Sequence, residues 1–201
     1  SPITGLTAAC RGRLEPYSVT ALPGVNYIWT TNPSNAIITP TTASGNAVEI
    51  EFLSVGNYSI EVYANRTVGL ASCNGPVRSL GVVVNDVPGQ VGNISGPSPL
   101  CPGQGGAYSV GILPNTTSYA WNITAGPVGG ATPNPPSTTN VIDYLFTLPG
   151  TYSIQVAATN ACGSGTPRTR NVVVNPTPAT PVELTNTTPV CPGRTGATYS
   201  V

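Results

Sequence analysis

Five cysteines and seven carboxylates are the side chains of this 201-residue chain best suited to covalent or acid–base chemistry, and the chain contains no histidine. Without His there is no Ser-His or Cys-His pair, so no hydroxyl or thiol has an imidazole to activate it. The carboxylates are scattered, mostly on outward strand positions such as Glu49, Glu51 and Asp143, and offer no facing pair for glycoside hydrolysis. A tetrahedral metal site needs ligands at short spacing, whereas Cys10, Cys73, Cys101, Cys162 and Cys191 lie 28 to 63 residues apart. Pro102-Gly-Gln-Gly-Gly106 lacks the Lys-Ser/Thr ending of a phosphate loop and reads as a hairpin turn. The expectation is therefore no catalytic residue, no metal and no cofactor, and cysteines that serve as disulfides.

The elements that position those cysteines repeat with them. Cys10, Cys101 and Cys191 recur at intervals of 91 and 90 residues, each followed by Tyr-Ser-Val at Tyr17, Tyr108 and Tyr199. Tyr27-Ile-Trp29 matches Tyr119-Ala-Trp121, Phe52 matches Phe146, and Gly56 to Val62 matches Gly150 to Val156. Such a period indicates tandem modules. We expect one sandwich over 1–87, a second over 88–177 and the start of a third over 178–201. The matched rings Trp29, Trp121, Phe52, Phe146, Tyr58 and Tyr152 form the expected core framework, with both Trp buried.

Val48, Ile50 and Phe52 alternate with Glu49 and Glu51, and Tyr58, Ile60 and Val62 with Ser59 and Glu61, the period of a strand with one wet face. Similar segments, near 16–22, 26–31 and 79–85, are separated by turns rich in Pro, Gly and Asn. About seven short strands per unit predict an all-β chain of two-sheet antiparallel sandwiches. Charged residues make up 7% and cancel to zero, which excludes the basic patch of a nucleic-acid binder and the polybasic run of a membrane-surface protein. No stretch is long and apolar enough to insert in a membrane. The six Asn-x-Ser/Thr triplets, at Asn57, Asn65, Asn93, Asn115, Asn122 and Asn186, read as surface markers in a chain this rich in those residues.

Cys-Pro-Gly before Tyr-Ser-Val, Trp121 in a third-strand position, and Gly150-Thr-Tyr152-Ser-Ile154-Gln-Val156 followed by Asn160-Ala-Cys162-Gly163 resemble the PKD-like repeats of Bacteroidota cell-surface proteins, including giant gliding-motility adhesins. The resemblance covers the whole chain and implies immunoglobulin-like sandwiches. The acidic-glycine turn that follows the Trp in PKD domains is absent, since Trp29 leads into Thr-Thr-Asn-Pro and Trp121 into Asn-Ile-Thr-Ala, so no calcium or turn role carries over. Repeat 1 also holds about five extra residues between Tyr58 and Cys73.

Immunoglobulin-like strand order leaves two pairings for the cysteines. Pairing within units joins Cys10 to Cys73 and Cys101 to Cys162. That order, however, places the first-turn and last-loop cysteines of one module at opposite poles, more than about 20 Å apart, whereas a disulfide needs Cα atoms within about 7 Å. Head-to-tail stacking instead brings Cys10 to Cys162, with Cys73, Cys101 and Cys191 pairing outside the chain. The resemblance implies a non-catalytic stalk or spacer of a large, exported, extracellular adhesin for gliding motility or surface attachment, a piece of a longer array. Its partners are neighbouring repeats, with surface polysaccharide or export and motility machinery as further ones. The alternative is an accessory spacer or carbohydrate-binding module of a secreted hydrolase, for which Tyr63 and Tyr144, outside the matched pattern, are the aromatic candidates.

Overall fold

The computed structural model describes residues 1–69 and 71–180, and every regular element in them is a strand. In the first module, β1 (Ala8–Cys10) runs parallel to β8 (Arg78–Asn85), which pairs with β6 (Gly56–Val68), which pairs with β3 (Asn26–Asn32). The short β7 (Ala71–Asn74) folds back on β6. The second sheet is β2 (Leu14–Ser18), β5 (Ala47–Phe52) and β4 (Ala36–Pro40). The second module repeats this plan. One of its sheets holds β10 (Ser118–Ala125), β13 (Gly150–Asn160), β14 (Gly163–Ser164) and β15 (Arg168–Val174); the other holds β9 (Gln104–Ser109), β12 (Val141–Phe146) and β11 (Ala131–Pro133). Apart from the parallel contact of the first strand, the pairings are antiparallel.

The alternation read in the sequence fills two separate cores. Val48, Ile50 and Phe52 point inward from β5, and Tyr58, Ile60 and Val62 from β6; Ile142, Tyr144 and Phe146 of β12 meet Tyr152, Ile154 and Val156 of β13. Phe52 meets Tyr58 with ring centroids 4.8 Å apart, and Phe146 meets Tyr152 at 4.9 Å. Burying each of these rings contributes on the order of 1.5–3 kcal/mol.

The first segment of each module crosses from one sheet to the other. Thr4 pairs with Ser18 and Ser95 with Ser109 on one sheet, after which β1 and Leu100 join the last strand of the other. Glycine makes the crossing possible. A Cβ on Gly5 would stand 2.1 Å from the Tyr17 ring, and one on Gly96 would stand 2.3 Å from the Tyr108 ring. The two phenols donate to nearby carbonyls, Tyr17 to Leu6 (3.1 Å) and Tyr108 to Pro97 (2.8 Å).

Three expectations are corrected. Trp29 is buried and donates from Nε1 to the Gly45 carbonyl (2.6 Å), but Trp121 is only half-buried, although it occupies the same register position and donates to the Thr139 carbonyl (2.9 Å). A Cβ at Gly45, where φ is +72°, would lie 2.9 Å from the Tyr27 carbonyl oxygen, so glycine lets that loop close over Trp29; Thr139 brings a side chain to the same place. Tyr144 is in the core, because it falls on the inward face of β12 between Ile142 and Phe146. Cys73 lies in β7 and not in a loop, since the extra residues of the first repeat lengthen the β6–β7 hairpin.

Candidate functional site at the module junction

The two modules meet over residues 86–91, where most of the unusual side-chain contacts of the chain gather. Cys10 ends β1 beside Asn85, and the Arg11 amide donates to the Asn85 carbonyl (2.8 Å), which fixes Cys10 at the pole where the chain leaves the first module. Cys162 sits in the turn joining β13 and β14. Asn160 shapes that turn, its Oδ1 accepting from the amides of Cys162 (2.8 Å) and Gly163 (3.2 Å), an Asx arrangement. The two sulfurs are bonded, with Cα atoms 5.5 Å apart across 152 residues of sequence. Cys162 is buried by the neighbouring module, and its carbonyl accepts from Arg13 Nη2 (2.6 Å).

Asp86 is the hub on the linker side. Its carbonyl accepts from Asn160 Nδ2 (2.8 Å) and Asn115 Nδ2 (2.9 Å), and its carboxylate pairs with Arg11. The ion pair is partly exposed and worth about 0–1 kcal/mol. The amide contacts aim at backbone, so they hold the linker rather than any one side chain. Further along, Gln90 Nε2 donates to the Pro167 carbonyl (2.9 Å), Arg168 Nε to the Val91 carbonyl (3.3 Å), and Arg170 reaches the carbonyls of Ile94 (2.7 Å) and Gly96 (2.8 Å). A Cβ at Gly165 would be 2.2 Å from the Pro88 carbonyl oxygen, so the linker lies directly on that glycine. The Pro-bearing junction is thus pinned along its length by one covalent bond and a row of hydrogen bonds.

Of the residues singled out from sequence, Cys10 and Cys162 come together, while Cys73 and Cys101 are free and exposed and Cys191 lies outside the described residues. Cys101 lies next to Leu100, whose carbonyl accepts from Asn175, and therefore sits at the far pole of the second module. Sequence reading missed Asn160, Asn115, Asp86 and Arg13. The only signal was Asn160-Ala-Cys162-Gly163, where an Asn two residues before a Cys predicts an Asx turn.

The remaining polar chemistry is structural. Burial pushes the phenols of Tyr17, Tyr108 and Tyr144 up to about 12; Glu15 adds to the rise at Tyr17, and Arg170 opposes it at Tyr108. No group of three or more His, Cys, Asp or Glu among the described residues is placed to hold a metal.

Residues 87–172 match the family model described as a PKD-like domain. That match spans the second module. Domains of this kind are generally non-catalytic, and the first module follows the same sheet plan, with β1 where the second has only the single Leu100–Val174 bridge. No curated protein matches the chain. Among solved structures, the chain is similar to the D00–D0 domain of intimin (11% identity, TM-score 0.38, covering 86% of this chain and 98% of that one). It is similar also to domains A168–A170 of titin (9%, TM-score 0.44, 84% and 61%). A third is the Bacteroides ovatus mixed-linkage glucan utilization locus protein SGBP-B in complex with a mixed-linkage heptasaccharide (17%, TM-score 0.32, 89% and 44%). These likenesses carry nothing about ligands.

Proposed function

We propose that the chain is a non-catalytic spacer of a large repetitive cell-surface adhesin, a stalk that holds a binding region away from the cell for attachment or gliding. The observation that carries this reading is the Cys10–Cys162 bond, which joins one sandwich to the next. Each module buries its own core and the bond lies outside both; what it removes is freedom at the junction. A disulfide and an immunoglobulin-like fold suit an oxidising extracellular setting. In this reading Cys101 and Cys73 repeat the staple to the repeats on either side, as their positions match those of Cys10 and Cys162. The neighbouring repeats are the principal partners, with surface polysaccharide or export and motility machinery acting beyond this segment.

Small-angle scattering of the oxidised protein and of the Cys10→Ser/Cys162→Ser double variant tests the spacer reading. One narrow distribution of maximum dimension for the oxidised protein, broadened in the variant, supports a stiff spacer. Equal, broad distributions in both would overturn it.

A further inference from the structure

A pocket of about 280 Å³ opens at the end of the first module away from the junction, and Val19, Tyr27, Val62, Ala64, Gly75 and Arg78 line it. Each has a counterpart in the second module. Val19 and Val110 both stand nine residues after the first cysteine of their repeat. The Tyr27 hydroxyl accepts from the Leu22 amide as the Tyr119 hydroxyl does from Leu113 (3.0 Å each). Val62 faces Trp29 and Arg78 in register, as Val156 faces Trp121 and Arg168. The carbonyl of Ala64 accepts from Gly75 as that of Ala158 does from Gly165.

In the second module this place is filled by the linker. Val91 is 0% exposed and belongs to one core with Val110, Tyr119, Val156 and Ala158, its carbonyl accepting from Arg168. Pro88 and Gly89 lie on Gly165. In the first module the same surfaces are more open: Ala64 is half-buried where Ala158 is fully buried, Arg78 is exposed where Arg168 is half-buried, and Leu22 is 57% exposed where Leu113 packs on the core. Val91 is followed by Gly92, which corresponds to Ser1, so a residue directly before Ser1 would fall in the pocket.

We propose that this pocket is a socket for an inter-module linker, taking one β-branched apolar residue of the kind Val91 supplies, with Arg78 donating to that residue's carbonyl. The proposal rests on the array reading above and names its lock: an extended, uncharged Pro-Gly segment ending in valine. An uncharged occupant suits a pocket in which Arg78 is the one charged side chain of the lining, because that guanidinium is matched by a backbone oxygen and not by a carboxylate.

The test is the full chain extended at Ser1 by a copy of its own residues 87–91, compared with the same extension carrying Asp in place of the copy of Val91. The valine extension is expected to move the Gly75 amide and Arg78 Nε–H resonances and to slow exchange of the Leu22 amide. It should also raise the first module's thermal midpoint, followed on its own resonances, by about 4–8 °C; the Asp extension should do none of these. Equal midpoints for the two extensions, with Gly75 and Arg78 unmoved, would overturn the socket. Scattering reports stiffness at residues 86–91 and these readouts report the opposite pole, so failure of the socket and failure of the spacer reading are separable.

Discussion

The β6–β7 hairpin and the β13–β14 turn occupy the same place in their modules, yet the first extends past the sandwich and holds Cys73 exposed, while the second closes in a tight Asx turn that holds Cys162 against Cys10. Inside the sheets, Tyr58 and Tyr152, like Phe52 and Phe146, fill matching places in the two cores. The sheet interiors are constrained by packing to near-crystal density, so substitutions there are felt. The poles are constrained only by what docks on them.

The largest effect expected on this comparison comes from the tryptophans. Trp29→Ala should cost the first module about 3–5 kcal/mol, whereas Trp121→Ala, at a half-buried site, should cost the second clearly less than about 3 kcal/mol. Denaturant unfolding of each module checks the order, and equal costs would mean that the two cores close over their indoles alike. Next, Asn160→Ala removes the acceptor of two turn amides and the donor to Asp86 and Asn115, and should destabilise the β13–β14 turn by roughly 1–3 kcal/mol. Hydrogen exchange at Cys162 and Gly163 should rise, with no matching change in the β6–β7 hairpin.

The pH profile should be shared by both modules. The phenols of Tyr17, Tyr108 and Tyr144 are raised in the folded state to about 12, against about 10 when unfolded. Below about pH 9 these phenols are neutral in both states and contribute no slope. Between about pH 10 and 12 only the unfolded chain releases its protons, so stability falls as pH rises through that window. Thermal midpoints flat from pH 6 to 9 and dropping beyond 10 would agree; a first module insensitive to alkali would place Tyr17 in a wetter setting. The smallest effect is chemical. In the native oxidised protein Cys73 and Cys101 should alkylate readily and Cys10 and Cys162 should not, as peptide mapping reads directly.

Strand alternation and the 90-residue period made the sheets legible in the sequence, because those patterns report burial along one element at a time. The inter-module bond followed from placing Cys10 and Cys162 at poles of an immunoglobulin-like order. What was not legible depends on contacts across the chain. Val91 and Ile94 lie in none of the alternating segments and are nonetheless core, since their burial is created by the strands that follow them. Tyr144 looked surplus to the aromatic framework because Ile50 occupies the corresponding inward position of the other repeat. Asp86 holds Asn115 and Asn160 through a carbonyl that any residue would provide, and that part of its role leaves no trace in residue type.

The Cys10–Cys162 bond also sets the path of tension. A force applied to the two ends of the chain reaches Cys10 and passes through the sulfurs to Cys162, bypassing the 152 residues of sequence separation between them. Fully drawn out, that stretch would add about 500 Å of slack at roughly 3.3–3.6 Å per residue. With the bond intact, only the Ser1–Cys10 segment and the strands after Cys162 can be peeled. Oxidised, the bond withholds that length from the pull; reduced, it releases it.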